Sequence, residues 1–350
     1  MIKNLFILIG IMLLSACSSA PYENFDPTSV QGKTSLKVVS QVQQDEIIKE
    51  FVPSNASSSA GAQFGLVGAL VGVAVDTSIN NSRAKDAEAA VEPFRNATLD
   101  INVRNLLEQA FTDKIEQLDW VTEKKLVSEL LEPSTKIKNY LASMDEDLLL
   151  LINTTYSLKP NAEVIEFTAG YSLFDKTTTT NTKSTPKPVY SNIAKVQSYP
   201  HNGSVRRLTK EEKEAEIAKL KEKYPTDESL PKLKIYSNQK TLAREIAKIN
   251  KKTITISNHE PAGSIWLNNN GELLRKEMLA APELLAKMII NDLSGEYPLP
   301  MDVETNKKKK RDSQPLEEFD NGMVISREPN GMLLYKHRDA PVYTRFGASF

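Results

Sequence analysis

Two apolar runs of eleven residues, 148–158 and 164–174, stand on either side of Lys159-Pro160-Asn161-Ala162. Both are rich in Leu, Ile, Phe, Tyr and Thr, and the tetrapeptide between them has turn chemistry. This pattern predicts a long antiparallel hairpin. A hairpin of that length needs further strands beside it and a layer over its apolar face.

The rest of the chain supplies both. Strands are predicted at 36–43, 120–127 and 189–198, with shorter ones at 253–256 and 264–267. Residues 176–188, rich in Thr, read as an exposed tip between the hairpin and the 189–198 strand. The covering layer comes from helices. Ala84, Ala87, Ala90 and Val91 form a short stripe that Pro93 is expected to interrupt. Leu99, Val103, Leu106, Leu107, Ala110, Phe111, Ile115 and Leu118 follow at spacings of three and four. Leu274, Met278, Ala281, Leu285 and Met288 make another stripe, which Pro282 is expected to kink or restart. The competing expectation there is an Asn270-Gly271 hairpin turn. The fold class is therefore α+β: a mostly antiparallel sheet with the 99–118 and 272–293 helices packed on one face. A small C-terminal β-meander at 322–350, with a turn at Pro329-Asn330-Gly331, completes it.

One insertion stands apart. Within 209–251, Thr209 and Glu212 have the spacing of a capping box, and Ile217, Leu220 and Tyr224 give only a narrow apolar stripe. Pro225 and Pro231 interrupt, and Leu242, Ile246 and Ile249 form a second narrow stripe. Two charged helices standing out from the sheet are expected, either as a partner-docking arm or as a solvated insertion.

Cys17 is the single cysteine. Before it come Lys3 and an apolar run at 5–14, too short for the roughly 20 residues that span a bilayer as a helix. Leu14-Ser15-Ala16-Cys17 resembles the lipobox of bacterial lipoprotein precursors. The resemblance implies a signal peptide at 1–16, diacylglycerol on the Cys17 sulfur, and cleavage just before Cys17. Two or three acyl chains would make that attachment stable. Residues 17–35 then form a tether, and Ser18, in place of the Asp that retains such proteins at the inner membrane, points to the outer membrane, facing the periplasm. With Cys17 lipidated no thiol is left for a disulfide, so the core must hold by itself.

Residues 61–75 are apolar and glycine-rich. Gly61 pairs with Gly65, and Gly68 with Gly72, each at a four-residue spacing that lets a second backbone approach one helix face. The segment is similar to the glycine zippers of some envelope proteins. As a helix it would span about 22 Å, short of the roughly 30 Å hydrocarbon core. A buried helix or close-packed core loop is one reading; self-association or membrane contact is the other.

Chemistry finds little support. His201, His259 and His337 are scattered, and HExxH, a cysteine ligand pair, G-x-S-x-G and a P-loop are absent. Asn258-His259-Glu260 reads as a surface loop, and Asp145 with Asp147 as an acid-rich loop or helix start. No catalytic residue, metal or cofactor is expected. The formal charge of −1 and export both argue against nucleic acid. Lys307 to Arg311, inside a linker at 298–321, reads as solvated, with anionic lipid or cell-wall polymer as the alternative. The element order of the 36–297 domain looks similar to periplasmic lipoproteins of the curli-secretion and penicillin-binding-protein-activator kind, a resemblance that implies fold alone. The expectation is a lipid-anchored, non-catalytic envelope protein. Its partners are the membrane, through the anchor, and a protein partner or its own copies. A pore-forming oligomer built on 61–75 and a periplasmic hydrolase using His259 are the alternatives.

Overall fold

The computed structural model describes residues 24–42, 44–50, 79–129, 131, 137–159, 162–179, 186–201, 205–227, 229–255, 262–297, 313–344 and 347–349. The strands are β1 (Ser35–Val42), β2 (Ile48–Lys49), β3 (Glu123–Ser128), β4 (Leu148–Leu158), β5 (Ile165–Asp175), β6 (Tyr190–Gln197), β7 (Val205–Arg207), β8 (Thr253–Thr255), β9 (Gln314–Glu318), β10 (Met323–Arg327), β11 (Leu333–His337), β12 (Val342–Thr344) and β13 (Gly347–Ser349). The helices are α1 (Ile79–Asn96), α2 (Val103–Lys114), α3 (Ile137–Ser143), α4 (Lys210–Lys223), α5 (Lys232–Lys251) and α6 (Ala262–Ser294).

The protein is α+β. Nine strands form one mostly antiparallel sheet in the order β3-β1-β4-β5-β6-β11-β10-β9, with β2 also on β4. The expected hairpin is its spine: β4 and β5 stay in register from Leu148 opposite Asp175 to Leu158 opposite Ile165. Its turn closes with the Ala162 amide donating to the Lys159 carbonyl at 2.7 Å, Ala162 taking a positive φ of 53°. β1 joins β4 and β3 in parallel, so the chain crosses over through α1 and α2. The C-terminal meander β9–β11 extends the same sheet, β11 lying parallel to β6.

One face carries the main core. Leu36, Val38, Leu150, Ile152, Phe167 and Tyr171 meet Phe94 of α1, Leu107 and Phe111 of α2, and Leu274, Leu285 and Ile289 of α6. Each such buried side chain is worth about 1.5–3 kcal/mol over its exposed state. At one end of the other face, Leu141 of α3 and Met144 cover Val39, Leu149, Leu151 and Phe174. Burial on both faces explains why β4 opens as an unbroken leucine run rather than alternating.

A buried polar cluster pins α6 to the sheet. Asp292 Oδ1 receives Arg327 Nη2 at 2.8 Å, and the two side chains are 1% and 0% exposed. Asp292 Oδ2 accepts from the hydroxyls of Tyr171 and Tyr190 and from Asn192 Nδ2 at 3.1 Å.

Several local expectations are corrected. Pro93 lies inside α1, because Val91 and Phe94 on either side of it are both drawn into the core. Leu99 falls in the turn after α1 and is 72% exposed, since α2 restarts only where the Asn102 side chain caps it. Residues 264–267 are helical; Trp266 is fully buried and donates Nε1–H to the Ala162 carbonyl at 2.7 Å. The break in α6 lies at 268–271, not at Pro282, which the packed helix carries through. Neither is Asn270-Gly271 a hairpin turn: it links two helical segments. Gln314–Glu318, within the stretch read as linker, is strand β9.

The charged insertion is a helical hairpin, α4 against α5, mounted on the separate β7–β8 ribbon. The Thr209–Glu212 capping box is formed.

Candidate binding groove

Leu267-Asn268-Asn269-Asn270-Gly271-Glu272 sets the local geometry. Asn269 (φ 52°, ψ 48°), Asn270 (φ 56°, ψ 34°) and Gly271 (φ 75°, ψ 25°) are left-handed in succession. Only glycine, and less readily asparagine, enters that region at modest cost, so the sequence is matched to the bend. The two asparagines still store strain there, which surrounding contacts must offset.

Those contacts come from the end of α1. Gly271 lies so near Ala97 that a Cβ on it would sit 2.8 Å from the Ala97 Cβ. One turn further, Arg275 forks onto Asp100, with Nη2 to Oδ2 at 2.7 Å, and its Nη1 also donates to the Ala97 carbonyl at 3.0 Å. Hydrogen bonding from Arg275 holds the Asp100 carboxyl down at about 2, and the same pairing raises the guanidinium.

The clamp leaves a groove of about 970 Å³ between the two elements. Pro93, Asn96, Ala97 and Asp100 form one wall; Leu267, Asn269, Asn270, Glu272, Arg275, Lys276 and Leu279 form the other. Smaller hollows of about 510 and 210 Å³ continue it, one sharing Asn96 and reaching Leu99, the other sharing Asp100, Arg275 and Leu279. Leu279 is 49% exposed, so two exposed leucines flank the run of hollows. The groove offers three side-chain amides, each both donor and acceptor, one lysine and one glutamate. Its strongest charges, Asp100 and Arg275, already satisfy each other. This chemistry suits recognition of a polar, amide-bearing ligand with apolar neighbours. Among the described residues that line it, no nucleophile stands beside a base.

The titratable residues singled out in the sequence divide as follows. His201 and His337, far apart in the chain, both meet Tyr199, at 5.1 and 5.0 Å between ring centroids, and His201 stands edge-on to Trp266 at 5.3 Å. Burial lowers both imidazoles. No sequence signal marked this grouping; it follows from β11 lying beside β6. Asp147 is a staple: its Oδ2 accepts from the Thr34 and Ser35 amides at 2.9 and 3.3 Å and from the Ser35 hydroxyl at 3.1 Å, and these bonds depress it. Asp145 is exposed. Among the described residues, no group of three His, Cys, Asp or Glu side chains is placed to hold a metal ion.

A second charged cluster was not foreseen. Buried Glu166 receives Lys159 Nζ at 2.6 Å, Lys195 Nζ at 3.1 Å and the Thr168 hydroxyl at 3.0 Å. Burial alone would raise this carboxyl, but Lys195 and Lys159 bring it below its ordinary value. Glu50 adds a second acceptor to Lys159 at 2.8 Å. Every charge here is matched, which marks the cluster as structural.

Cys17, Gly61, Gly65, Gly68, Gly72, His259 and the basic run 307–311 lie outside the described residues. Among the described ones no helix is long and apolar enough to cross a membrane. No family model matches the chain, and no curated protein or solved structure matches it either.

Proposed function

We propose that this protein is a lipid-anchored, non-catalytic component of the cell envelope that works by binding a protein partner in the groove between α1 and the left-handed turn of α6. The anchor reading rests on Leu14-Ser15-Ala16-Cys17 and on Cys17 being the only cysteine. Acyl chains at Cys17 hold the protein on the periplasmic face of the outer membrane. The observation that carries the binding reading is the strained Asn269-Asn270-Gly271 turn. It is clamped onto α1 and lines an open groove, between two leucines that the core does not use. Backbone strain of this kind clusters at ligand clamps and active sites. Exposed leucines flanking side-chain amides fit a partner that brings both main-chain groups and apolar side chains.

The test is a photo-cross-linking side chain at Leu279 or Leu99 of the full-length protein in its own envelope. One discrete adduct, lost when Asn270→Leu is added, is the expected result. An adduct with the mass of a dimer would identify the partner as a second copy. No adduct at either position overturns the groove as the binding surface. Separately, Cys17→Ala should release the protein from the membrane fraction, and unchanged fractionation overturns the anchor.

A further inference from the structure

The helical hairpin carries a surface that neither the core nor the groove uses. α4 buries no residue and packs on α5. The contact side of α5 is Ile235, Leu242, Ile246 and Ile249, at helical spacing. The opposite side presents Leu233, Tyr236, Lys240, Arg244 and Lys248, which fall within an arc of about 120° along about 22 Å of helix. Leu233 is 86% exposed and Tyr236 67%, the two most exposed large apolar side chains at the tip of the arm.

The charge on α5 is one-sided. Lys232, Lys234, Lys240, Arg244, Lys248 and Lys251 stand against Glu245 alone, whereas acids and bases balance along α4. Glu245 pairs with Lys248 at 2.8 Å and with Arg244 at 3.3 Å, whereas among the described residues Lys232, Lys234 and Lys240 make no ion pair. Lys232 and Lys234 also occupy the first turn, where no acid and no side-chain cap is present. Cations there oppose the helix dipole, so helix stability is not the reason for them.

We propose that this outer stripe of α5 lies on an anionic lipid surface, with Leu233 and Tyr236 entering the headgroup layer. A convex rod with cations along its length and one leucine and one tyrosine at its end matches a flat surface whose charges can rearrange beneath it. Tyrosine is suited to that boundary, having an apolar ring and a polar hydroxyl. The long lysine and arginine stems let the charges reach phosphates while the backbone stays in the interface.

The test uses the chain from Ser18 onward, which carries every described residue and no acyl chain. It is floated with phosphatidylcholine vesicles that contain phosphatidylglycerol, whose negative surface attracts basic segments, and with pure phosphatidylcholine vesicles. At least tenfold stronger binding to the anionic vesicles is expected. Lys240→Glu with Lys248→Glu should remove that preference. Leu233→Ser with Tyr236→Ser should abolish the binding that remains in high salt, where charge is screened. Replacing 307–311 by serines should leave the preference in place. In a second measurement, Tyr236→Cys supplies the only thiol of this chain, and a polarity-sensitive fluorophore on it should shift to the blue with anionic vesicles alone. Binding that is equal on both vesicles, or that survives the charge reversal in α5, overturns the proposal. So does a fluorophore that stays in water, even if the arm proves to capture an acidic protein.

Discussion

Replacing Asp292 by leucine should cost this protein a large fraction of its stability. Asp292 and Arg327 are 1% and 0% exposed and meet at 2.8 Å. Truncating the acid leaves a guanidinium charged and buried, which costs about 3–5 kcal/mol. Arg327 would keep the Tyr297 carbonyl at 3.0 Å and the Gly331 carbonyl at 3.3 Å, both neutral acceptors. The hydroxyls of Tyr171 and Tyr190 lose their shared acceptor as well, at about 1 kcal/mol each, so the upper end of the range is expected. A domain stable by about 5–15 kcal/mol has little margin for such a loss. Asp292→Leu combined with Arg327→Met should recover most of it, because no charge then remains buried. Urea denaturation followed by tryptophan fluorescence reads this directly, since Trp120 donates to the Leu293 carbonyl next to Asp292 at 2.9 Å. A single substitution costing less than about 1 kcal/mol, or a double costing the sum of the two singles, refutes the reasoning.

Gly271→Ala should cost about 2 kcal/mol or more in thermal or chemical unfolding, from a positive φ of 75° and the Ala97 methyl in the path of the new Cβ. Stability should fall as pH drops below Glu166's ordinary value of 4.5 towards its depressed folded value, because a carboxyl held down by Lys195 and Lys159 stabilises only while ionised. Glu166→Gln should flatten that acid limb of a denaturation-against-pH curve. His201, lowered by burial, favours the folded state when neutral, so its contribution is full above 6.5 and is lost as pH falls through its lower folded value. Imidazolium quenches a neighbouring indole, so Trp266 emission should drop over that same interval, and His201→Gln should remove the step.

The long elements were legible because each repeats one period for many residues. The 148–158 and 164–174 runs read as strands facing each other and the Leu274-to-Met288 stripe as a helix, and the structure has both. Prolines misled, since Pro93 and Pro282 sit in helices whose flanking residues are pulled into the core harder than one missing amide pushes them out. The Asn268-Asn269-Asn270-Gly271 run announced left-handed backbone, yet nothing local chose between a hairpin and a join between two helical segments. Arg275 and Asp100 decide that, and their meeting depends on α1 and α6 lying side by side. His337 was invisible beside Tyr199 for the same reason, arriving from β11, whereas the Glu166 lysines come from neighbouring strands and depended on the exact register of β5 with β4 and β6.

The parallel seam between β6 and β11 sets the order in which this molecule can be completed. When β1 to β6 have been made, β6 is a raw edge, its amides and carbonyls facing open space. It stays so through the making of the arm, α6 and all that follows, until Leu333–Tyr335 arrive to pair with Ala194–Val196. An unsealed edge is a template for joining another chain. A ribosome that stalls before residue 333, or a protease that trims behind it, therefore leaves more than a shortened protein: it leaves an adhesive one.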